Sequence, residues 1–189
     1  MGEREQALLE EIASTEREQQ GAAYKELLEL TSEPVDWAYQ AWDQLFAALR
    51  SRDNRLRSIA AQLISNLAAR SDHEGRILNG LPDLLAVTHD EKFVTARHAL
   101  QSLWVIGLAG DAQRAVILES FATRFDEAGS EKNGRLVRFD IIEALRKLFN
   151  KTGDDAIQRR SLELIATELD EKHRKKYSAV WRDRLDARR

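Results

Sequence analysis

The stretch Arg55–Leu67, RLRSIAAQLISNL, decides the fold because the chain contains two further versions of it. The second, TARHALQSLWVIG, starts at Thr95, and the third, LVRFDIIEALRKL, starts at Leu136. All three have an arginine at the same position, spaced 40 and 41 residues apart: Arg57, Arg97 and Arg138. A period near 40 residues is typical of stacked helical hairpins, because one such hairpin cannot bury its apolar face alone.

The composition of the 189 residues, 43% hydrophobic and 32% charged with nine Gly and two Pro, is typical of a largely helical globular protein. Cysteine is absent, which excludes disulfides, thiol catalysis and thiolate metal sites. The first residues, MGEREQALLEEIAS, lack the apolar centre of a signal peptide. The longest apolar run, Leu103–Ala109, is far shorter than the roughly 20 residues of a membrane span. We therefore expect a soluble, cytoplasmic protein that does not bind a membrane.

Charge is distributed unevenly although the net charge is only −3. Residues 1–50 contain 11 acidic and 4 basic side chains, whereas the rest of the chain contains 21 acidic and 25 basic ones. From Asp170 to the last residue, the chain contains eight Lys or Arg residues and four Asp or Glu residues. The chain thus combines an acidic front end with a mildly basic body.

Apolar spacing predicts an all-α chain of about four antiparallel helix pairs preceded by an N-terminal extension. The extension, residues 1–31, contains a polar helix over 3–20, an interruption at Gly21 and a second helical segment to Leu30. It does not fit the 40-residue register, so we predict a cap or arm. The helix pairs belong to one domain and divide as follows: 32–70, 71–110, 111–151 and 152–189.

Local signals place the helix ends. Ser32-Glu33-Pro34 predicts the start of the first outgoing helix, and Ser71–Glu74 has the spacing of a capping box. Pro82 predicts a kink or split near Gly80. The turn Asp90-Glu-Lys92 recurs 80 residues later as Asp170-Glu-Lys172, twice the period. Tyr177, Val180, Trp181 and Leu185 mark the last return helix.

The repeated segments resemble the HEAT-repeat family, which has a proline-bearing first helix, a turn containing Asp and a second helix opening with an apolar–Arg pair. Here those pairs are Leu56-Arg57, Ala96-Arg97 and Val137-Arg138, and Leu81–Leu85 (LPDLL) is similar to the proline-bearing helix. The resemblance covers roughly residues 34–189, although one repeat alone has the proline and the third turn is too long. It implies an α-α superhelix, an armadillo/HEAT-like right-handed solenoid, that serves as a scaffold.

The resemblance also implies a structural ladder between neighbouring turns, formed by Asp53, Arg57, Asp90, Arg97 and Arg138. In such a stack the return helices line the concave face. Placed at 100° steps, Ser58, Ala61, Gln62 and Ser65 of the first return helix point away from the core. On the second and third return helices, the candidate partner-binding residues are His98, Gln101, Val105, Phe139, Ile142, Glu143 and Arg146.

Phe139 and Ile142 are anomalous because their helix then has apolar residues on both faces, and both faces must be buried. Two explanations are open at this point. Either the long loop or the last helix, with Trp181, folds over them, or they form a binding patch for apolar side chains of a partner.

The sequence contains no recognisable catalytic, cofactor-binding or metal-binding motif. The four histidines, at positions 73, 89, 98 and 173, form no His-Glu-x-x-His or i, i+4 pair. A phosphate-binding glycine loop and a Gly-x-Ser-x-Gly motif are both missing. We therefore expect no cofactor, no metal and no enzymatic activity.

The resulting hypothesis is a non-catalytic scaffold or interaction module whose concave face binds a helix or peptide of a protein partner. A second copy is an alternative partner, with the acidic N-terminal helices on the basic C-terminal end. The other functional class is a nucleic-acid-binding protein related to the HEAT-like alkylbase DNA glycosylases, which use Trp, Asp and Arg in the groove. Trp37, Trp42 and Trp104 instead have core spacing here, and the near-neutral charge does not favour phosphate binding.

Overall fold

The computed structural model describes residues 1–182, and within them every regular element is a helix. This confirms the all-α prediction. The α-helices are α1 (Glu3–Glu11), α2 (Arg17–Leu30), α3 (Ala38–Ala48), α4 (Asn54–Arg70), α5 (Ile77–Ala86), α6 (Phe93–Ser102), α7 (Asp111–Glu127), α8 (Gly134–Thr152), α9 (Asp155–Thr167) and α10 (Glu171–Ala179). Short 3₁₀ segments cover Val87–His89, Leu103–Leu108 and Ala128–Ser130. The predicted helix residue Leu185 lies outside the described residues.

The chain forms two compact units, Met1–Ala109 with α1 to α6 and a second unit that starts at Gly110 and contains α7 to α10. Each unit is built from hairpins of successive helices. The prediction of a single domain remains a prediction, and the units are described one at a time.

In the first unit, α3 and α4 form the central hairpin. Helix α4 packs against α2 on one side and α6 on the other, so these three helices lie side by side. The core includes Leu8, Leu27, Leu45, Leu63 and Ile64, all fully buried. The extension is attached to this core, since Gln44 on α3 donates a hydrogen bond to the Leu9 carbonyl (3.2 Å).

In the second unit, α8 is central and packs against α7, α9 and α10. Large aromatic side chains dominate its core. Phe121 and Phe125 come from α7, Phe149 from α8, and Tyr177 and Trp181 from the last helical region, and all five are almost completely buried. Because these rings come from three parts of the unit, burying them fixes the two hairpins against each other.

The interruption expected at Gly21 is wrong, because α2 runs through this glycine as regular helix. The break falls earlier, where the Ser14 hydroxyl accepts a hydrogen bond from the Glu16 N–H (3.1 Å) and donates one to Gln19 (2.8 Å). These bonds give the backbone an alternative to the helix. Gly21 instead permits a close approach, since a Cβ there would lie 2.9 Å from Nη2 of Arg55.

Two predicted helix starts are shifted. The first outgoing helix begins at Ala38 instead of next to Pro34. Ser71 is not the cap of the second, because its hydroxyl accepts from the Val35 N–H (2.9 Å). Asp72 does the capping and accepts from the N–H groups of Arg76 and Ile77 (2.9 Å each). A carboxylate reaches two N–H groups at once, which a serine hydroxyl does not.

Helix α5 continues across Pro82 and does not split at Gly80. A Cβ at Gly80 would collide with the ring of Phe46 on α3, so this glycine allows two helices to approach closely. The turns that start with Asp90 and Asp170 are confirmed as equivalent. Each aspartate accepts a hydrogen bond from the lysine N–H two residues later, at 2.8 and 2.9 Å.

Candidate functional site

The predicted ladder residues Arg57 and Asp90 form a buried ion pair between two successive turns of the first unit. Nε of Arg57 lies 2.5 Å from Oδ2 of Asp90, and Nη2 lies 2.9 Å from Oδ1, so the pair is bidentate. The side chains are only 15% and 5% exposed. Nη1 of Arg57 also donates to the Ser51 carbonyl (2.7 Å). A paired and hydrogen-bonded guanidinium of this kind holds two turns in a fixed register.

The same pattern recurs elsewhere with different partners. Asp53 accepts from Arg17 (2.9 Å), Gln20 (3.0 Å) and the Arg55 N–H (3.0 Å), which ties α2 to the start of α4. In the second unit, Arg138 donates to Glu168 (3.0 Å) and to the Phe125 carbonyl (2.9 Å). Arg97, the remaining ladder residue, lies over the ring of Phe93 at 5.8 Å from its centre.

These contacts lower the pKa of three carboxyl groups, those of Asp53, Asp90 and Glu168. Burial by itself would raise the pKa of Asp90, but the hydrogen bonds from Arg57 and from the Lys92 N–H outweigh it. Asp53 and Glu168 behave in the same way, and their pKa values also fall below the usual range. All three groups are therefore structural anions, since a general base needs a pKa near the working pH.

The residues expected to face outward on α4 are mostly buried between neighbouring helices, which corrects the placement at 100° steps. Ser58, Ala61 and Ser65 have almost no exposed surface. The Ser65 hydroxyl lies 3.1 Å from that of Ser102 on α6, and the Tyr24 hydroxyl of α2 donates to Gln62 (2.8 Å). A helical projection locates the core but gives no information about helices packed on either side.

The candidate residues of the first unit lie on or after α6. His98 is exposed, with Nδ1 3.3 Å from the Ser58 hydroxyl, and Gln101 is half-buried. Val105 is also half-buried, but α6 ends at Ser102 and Val105 belongs to a 3₁₀ segment. A 3₁₀ helix turns three residues per turn, so the direction predicted for Val105 with α-helical geometry does not apply.

In the second unit, α10 covers much of the predicted binding patch. Ile142 is fully buried and presents no surface to a partner. Phe139 is half-buried, with its ring centre 6.2 Å from that of Tyr177 and 4.1 Å from Nζ of Lys176. Tyr177 and Lys176 of the last helix thus lie against Phe139, part of which stays accessible.

Glu143 and Arg146, the other two candidates on α8, are half-buried. The guanidinium of Arg146 lies 5.0 Å from the ring centre of Trp181 and 5.8 Å from that of Phe149. The rings of Trp181 and Phe149 meet edge to face at 5.2 Å. Arg146 is thus held by cation–π contacts, which fix its side chain at the edge of the predicted patch.

The sequence reasoning missed two exposed leucines of the second unit. Leu136, one turn before Phe139, is 40% exposed, and Leu169, in the α9–α10 turn, is 93% exposed. Leu169 borders a cavity of about 500 Å³ together with Lys132, Arg135, Arg138 and Glu168. Leu136 could have been found, because it lies about 20° from Glu143 on a helical projection. Leu169 could not, since nothing in a turn sequence indicates its exposure.

The described residues contain no cluster of candidate metal ligands. No group of three or more His, Asp or Glu side chains within residues 1–182 could hold a metal ion. Trp37 and Trp42 are buried in the core, and Trp104 is half-buried. None of the helices in this part of the chain combines the length and apolarity needed to cross a bilayer.

Comparisons with known proteins do not assign the chain to a family. Models of protein families give no match to the chain, and no curated protein is significantly similar to it.

Proposed function

We propose that this protein is a non-catalytic interaction module that binds a partner's helix or peptide on the exposed side of α8. The observation that carries the proposal is the apolar surface of Leu136 and Phe139, one turn apart and both accessible in part. Charged groups border it, with Lys176 over the Phe139 ring and Glu143 one turn further along α8. An apolar centre with a charged rim is the usual anatomy of a binding surface.

The chemistry of this surface favours an amphipathic partner. Leu136 offers room for one or two apolar side chains, and Glu143 and Lys176 can pair with charges of either sign beside them. Aromatic and arginine side chains often dominate binding energy, and here Phe139 and Arg146 are held by Tyr177 and Trp181 before any partner arrives. Such preorganisation lowers the entropic cost of binding.

The proposal includes a HEAT-like solenoid with its return helices on the concave face. The three arginines spaced by 40 and 41 residues support it, as does the turn-to-turn ion pair of Arg57 with Asp90. Side-by-side packing of α2, α4 and α6 is the arrangement that stacked hairpins require.

The test is to introduce a charge at Leu136 and compare it with an equal change elsewhere. Peptides that bind the whole chain are first selected from a random library. Their affinity for the Leu136→Glu variant, measured by fluorescence anisotropy, should be at least tenfold lower than for the original chain. Val116 on α7 is also 40% exposed, so Val116→Glu is the matched control and should keep full affinity. Equal losses with both variants, or with neither, would contradict the proposed surface.

A double change of Phe139 and Ile142 to serine is not a clean test. Ile142 is fully buried, so its replacement by a polar residue leaves a cavity and an unpaired hydroxyl in the core. Loss of binding would then report unfolding.

Nucleic-acid binding is the second candidate, and one observation favours it. Lys132 and Arg135 are exposed and line the cavity of about 500 Å³ at the start of α8. Arg138, however, is already paired with Glu168, and Trp37 and Trp42 are buried away from any base. If this function holds, a labelled DNA duplex should bind with an affinity that falls steeply between 50 and 200 mM salt. An unchanged anisotropy at low salt excludes it.

A further inference from the structure

The outer side of the α9–α10 hairpin contains two adjoining grooves with a shared apolar floor. One groove, of about 430 Å³, lies between the helices, and the other, of about 610 Å³, runs along α9. Both are lined by Leu162 and Ala166, and Ile165 contributes to the first. Ala166 is exposed and Leu162 is half-buried. This hairpin thus presents an indented apolar strip to its surroundings.

Among the described residues, the hydrogen bonds of this hairpin with α7 and α8 come from positions other than Leu162 and Ala166. Helix α9 approaches α7 through Arg160, which donates to Glu119 (3.2 Å). Helix α10 approaches α8 through Tyr177, whose hydroxyl donates to the Arg135 carbonyl (3.0 Å). Leu162 and Ala166 lie on other faces of the same hairpin, where a further hairpin would stack in a longer array.

The rim of the grooves contains four basic and three acidic side chains. Its basic side chains are Arg159, Arg174, Lys175 and Arg182, and its acidic ones are Asp155, Glu163 and Glu171. Two of the carboxylates have cations beside them, since Glu171 lies 2.7 Å from Lys175 and Glu163 lies 3.4 Å from Arg160. Arg159 and Arg182 are exposed, so their positive charges are accessible to an approaching partner.

The first hairpin, formed by α1 and α2, carries charged side chains that are mainly acidic. Residues 1–30 contain eight acidic and three basic side chains. Glu18, Ala22 and Glu29 are exposed and lie within about 40° of each other on α2. Helix α2 contacts α4 through other positions, among them Gln20 and Tyr24, so this acidic face with a small apolar centre is turned away from α4.

We infer that the outer side of the last hairpin binds the first hairpin of a second copy of this chain. The apolar strip of Leu162 and Ala166 packs against the surface around Ala22, and Arg159 and Arg182 face the acidic side chains Glu18 and Glu29. The two surfaces differ, so the contact is head-to-tail and can be repeated from copy to copy. This surface is separate from the face of α8, and the inference does not depend on the proposed function.

The first measurement is sedimentation velocity of the whole chain over a hundredfold concentration range. We expect the average mass to rise with concentration past that of a dimer, and to fall when the salt is raised from 50 to 500 mM, because salt screens the charge pairs. A mass that stays at one chain throughout, as contact within a single copy would give, overturns the inference. A closed ring of two or more copies supports the inference as well, because a head-to-tail contact can close on itself.

Charge reversal at each end sharpens the test. Arg159→Glu with Arg182→Glu blocks the last hairpin, and Glu18→Lys with Glu29→Lys blocks the first. Each double variant by itself should be monomeric, and an equal mixture should associate again, because the reversed charges of one variant are complementary to those of the other and each variant also keeps one intact surface. A mixture that stays monomeric contradicts the pairing of these two surfaces.

The control for these variants is Asp43→Lys with Glu91→Lys, which changes two exposed acidic residues of the first unit outside the first hairpin. It alters the net charge as much as the change at Glu18 and Glu29 and should assemble as the original chain does. If it also abolishes assembly, overall charge and not the first hairpin controls association. Circular dichroism with thermal melting verifies that every variant is folded.

Discussion

The two units join their neighbouring return helices with different chemistry. In the first unit, small polar side chains meet between helices, as Ser65 does with Ser102 and Tyr24 with Gln62. In the second unit, aromatic and cationic side chains fill the corresponding space, as Phe139 does with Tyr177 and Arg146 with Trp181. Helical hairpins of the same chain therefore pack against neighbouring helices with two different kinds of side-chain contact.

The difference also concerns what each contact leaves accessible. Small polar side chains of the first unit use their hydrogen-bonding groups on each other. In the second unit, Leu136 and part of Phe139 remain accessible on α8 beside the aromatic contacts. The units also differ in charge, with 17 acidic and 11 basic residues up to Ala109, and 15 and 18 from Gly110 onward.

The largest expected effect tests the aromatic contacts of the second unit. Trp181→Ala should lower the free energy of unfolding by about 4 kcal/mol, because it removes a fully buried indole that packs on Phe149. Trp104 is half-buried in the first unit, so Trp104→Ala should cost only about 1 kcal/mol. Urea titrations followed by circular dichroism compare the two. Equal costs would mean that the aromatic cluster is not what holds the second unit together.

The second effect concerns the turn-to-turn ion pair of the first unit. Asp90→Asn should cost about 3 kcal/mol, because Asn retains the cap on the Lys92 N–H but leaves the buried Arg57 without its counter-charge. Asp83 accepts hydrogen bonds on both oxygens from Nη2 of Arg50, but the Asp83 and Arg50 side chains are 47% and 74% exposed. Asp83→Asn should therefore cost less than about 0.5 kcal/mol by thermal melting. A costly Asp83→Asn would remove the distinction between buried and exposed pairs.

The third effect is the dependence of stability on acid. The folded-state pKa values of Asp53, Asp90 and Glu168 lie below their ordinary values. Their stabilisation is therefore complete above the unfolded-state pKa of about 4, and is lost as the pH falls through the lowered folded-state values. The melting temperature should be constant above about pH 5 and drop towards pH 2.5. Asp90→Asn should have a shallower acid dependence, and an unchanged slope would show that Asp90 is not involved.

The smallest effect concerns the polar contacts of the first unit. Ser65→Ala should cost about 1 kcal/mol, because it removes a buried hydroxyl that donates to the Ala61 carbonyl (2.8 Å) and contacts Ser102. Ser120 on α7 makes the same bond to Val116 (2.8 Å) but is half-exposed, so water can replace its hydroxyl. Ser120→Ala should change the urea midpoint hardly at all. A larger cost at Ser120 would mean that the contact with Ser102 contributes nothing.

Local chemistry made much of the fold predictable. Apolar spacing gave the helices, and the aspartates at positions 90 and 170 marked equivalent turns because a carboxylate binds N–H groups close to it in sequence. The same reasoning misplaced the break near Gly21 and the cap at Ser71. The break lies near Ser14, whose hydroxyl bonds to Glu16 and Gln19, and the Ser71 hydroxyl is occupied by the Val35 N–H, 36 residues away in sequence.

For the candidate site, the sequence identified α8 as unusual but did not distinguish Phe139 from Ile142. Both look exposed on a helical projection, but in the structure Ile142 is fully buried and Phe139, in contact with Tyr177 of α10, is half-buried. Leu136 was missed because an apolar residue near a helix start is expected to be in the core.

By itself the sequence determined that the chain is all-α, that it is divided into helical hairpins, and that an arginine recurs on three return helices, because these features depend on spacing and on neighbours within a few residues. Tertiary structure decided which polar residues are buried between helices, which arginine finds which carboxylate, and where apolar surface stays exposed. Those outcomes depend on contacts between residues 30 to 40 positions apart, and helical periodicity carries no information about them.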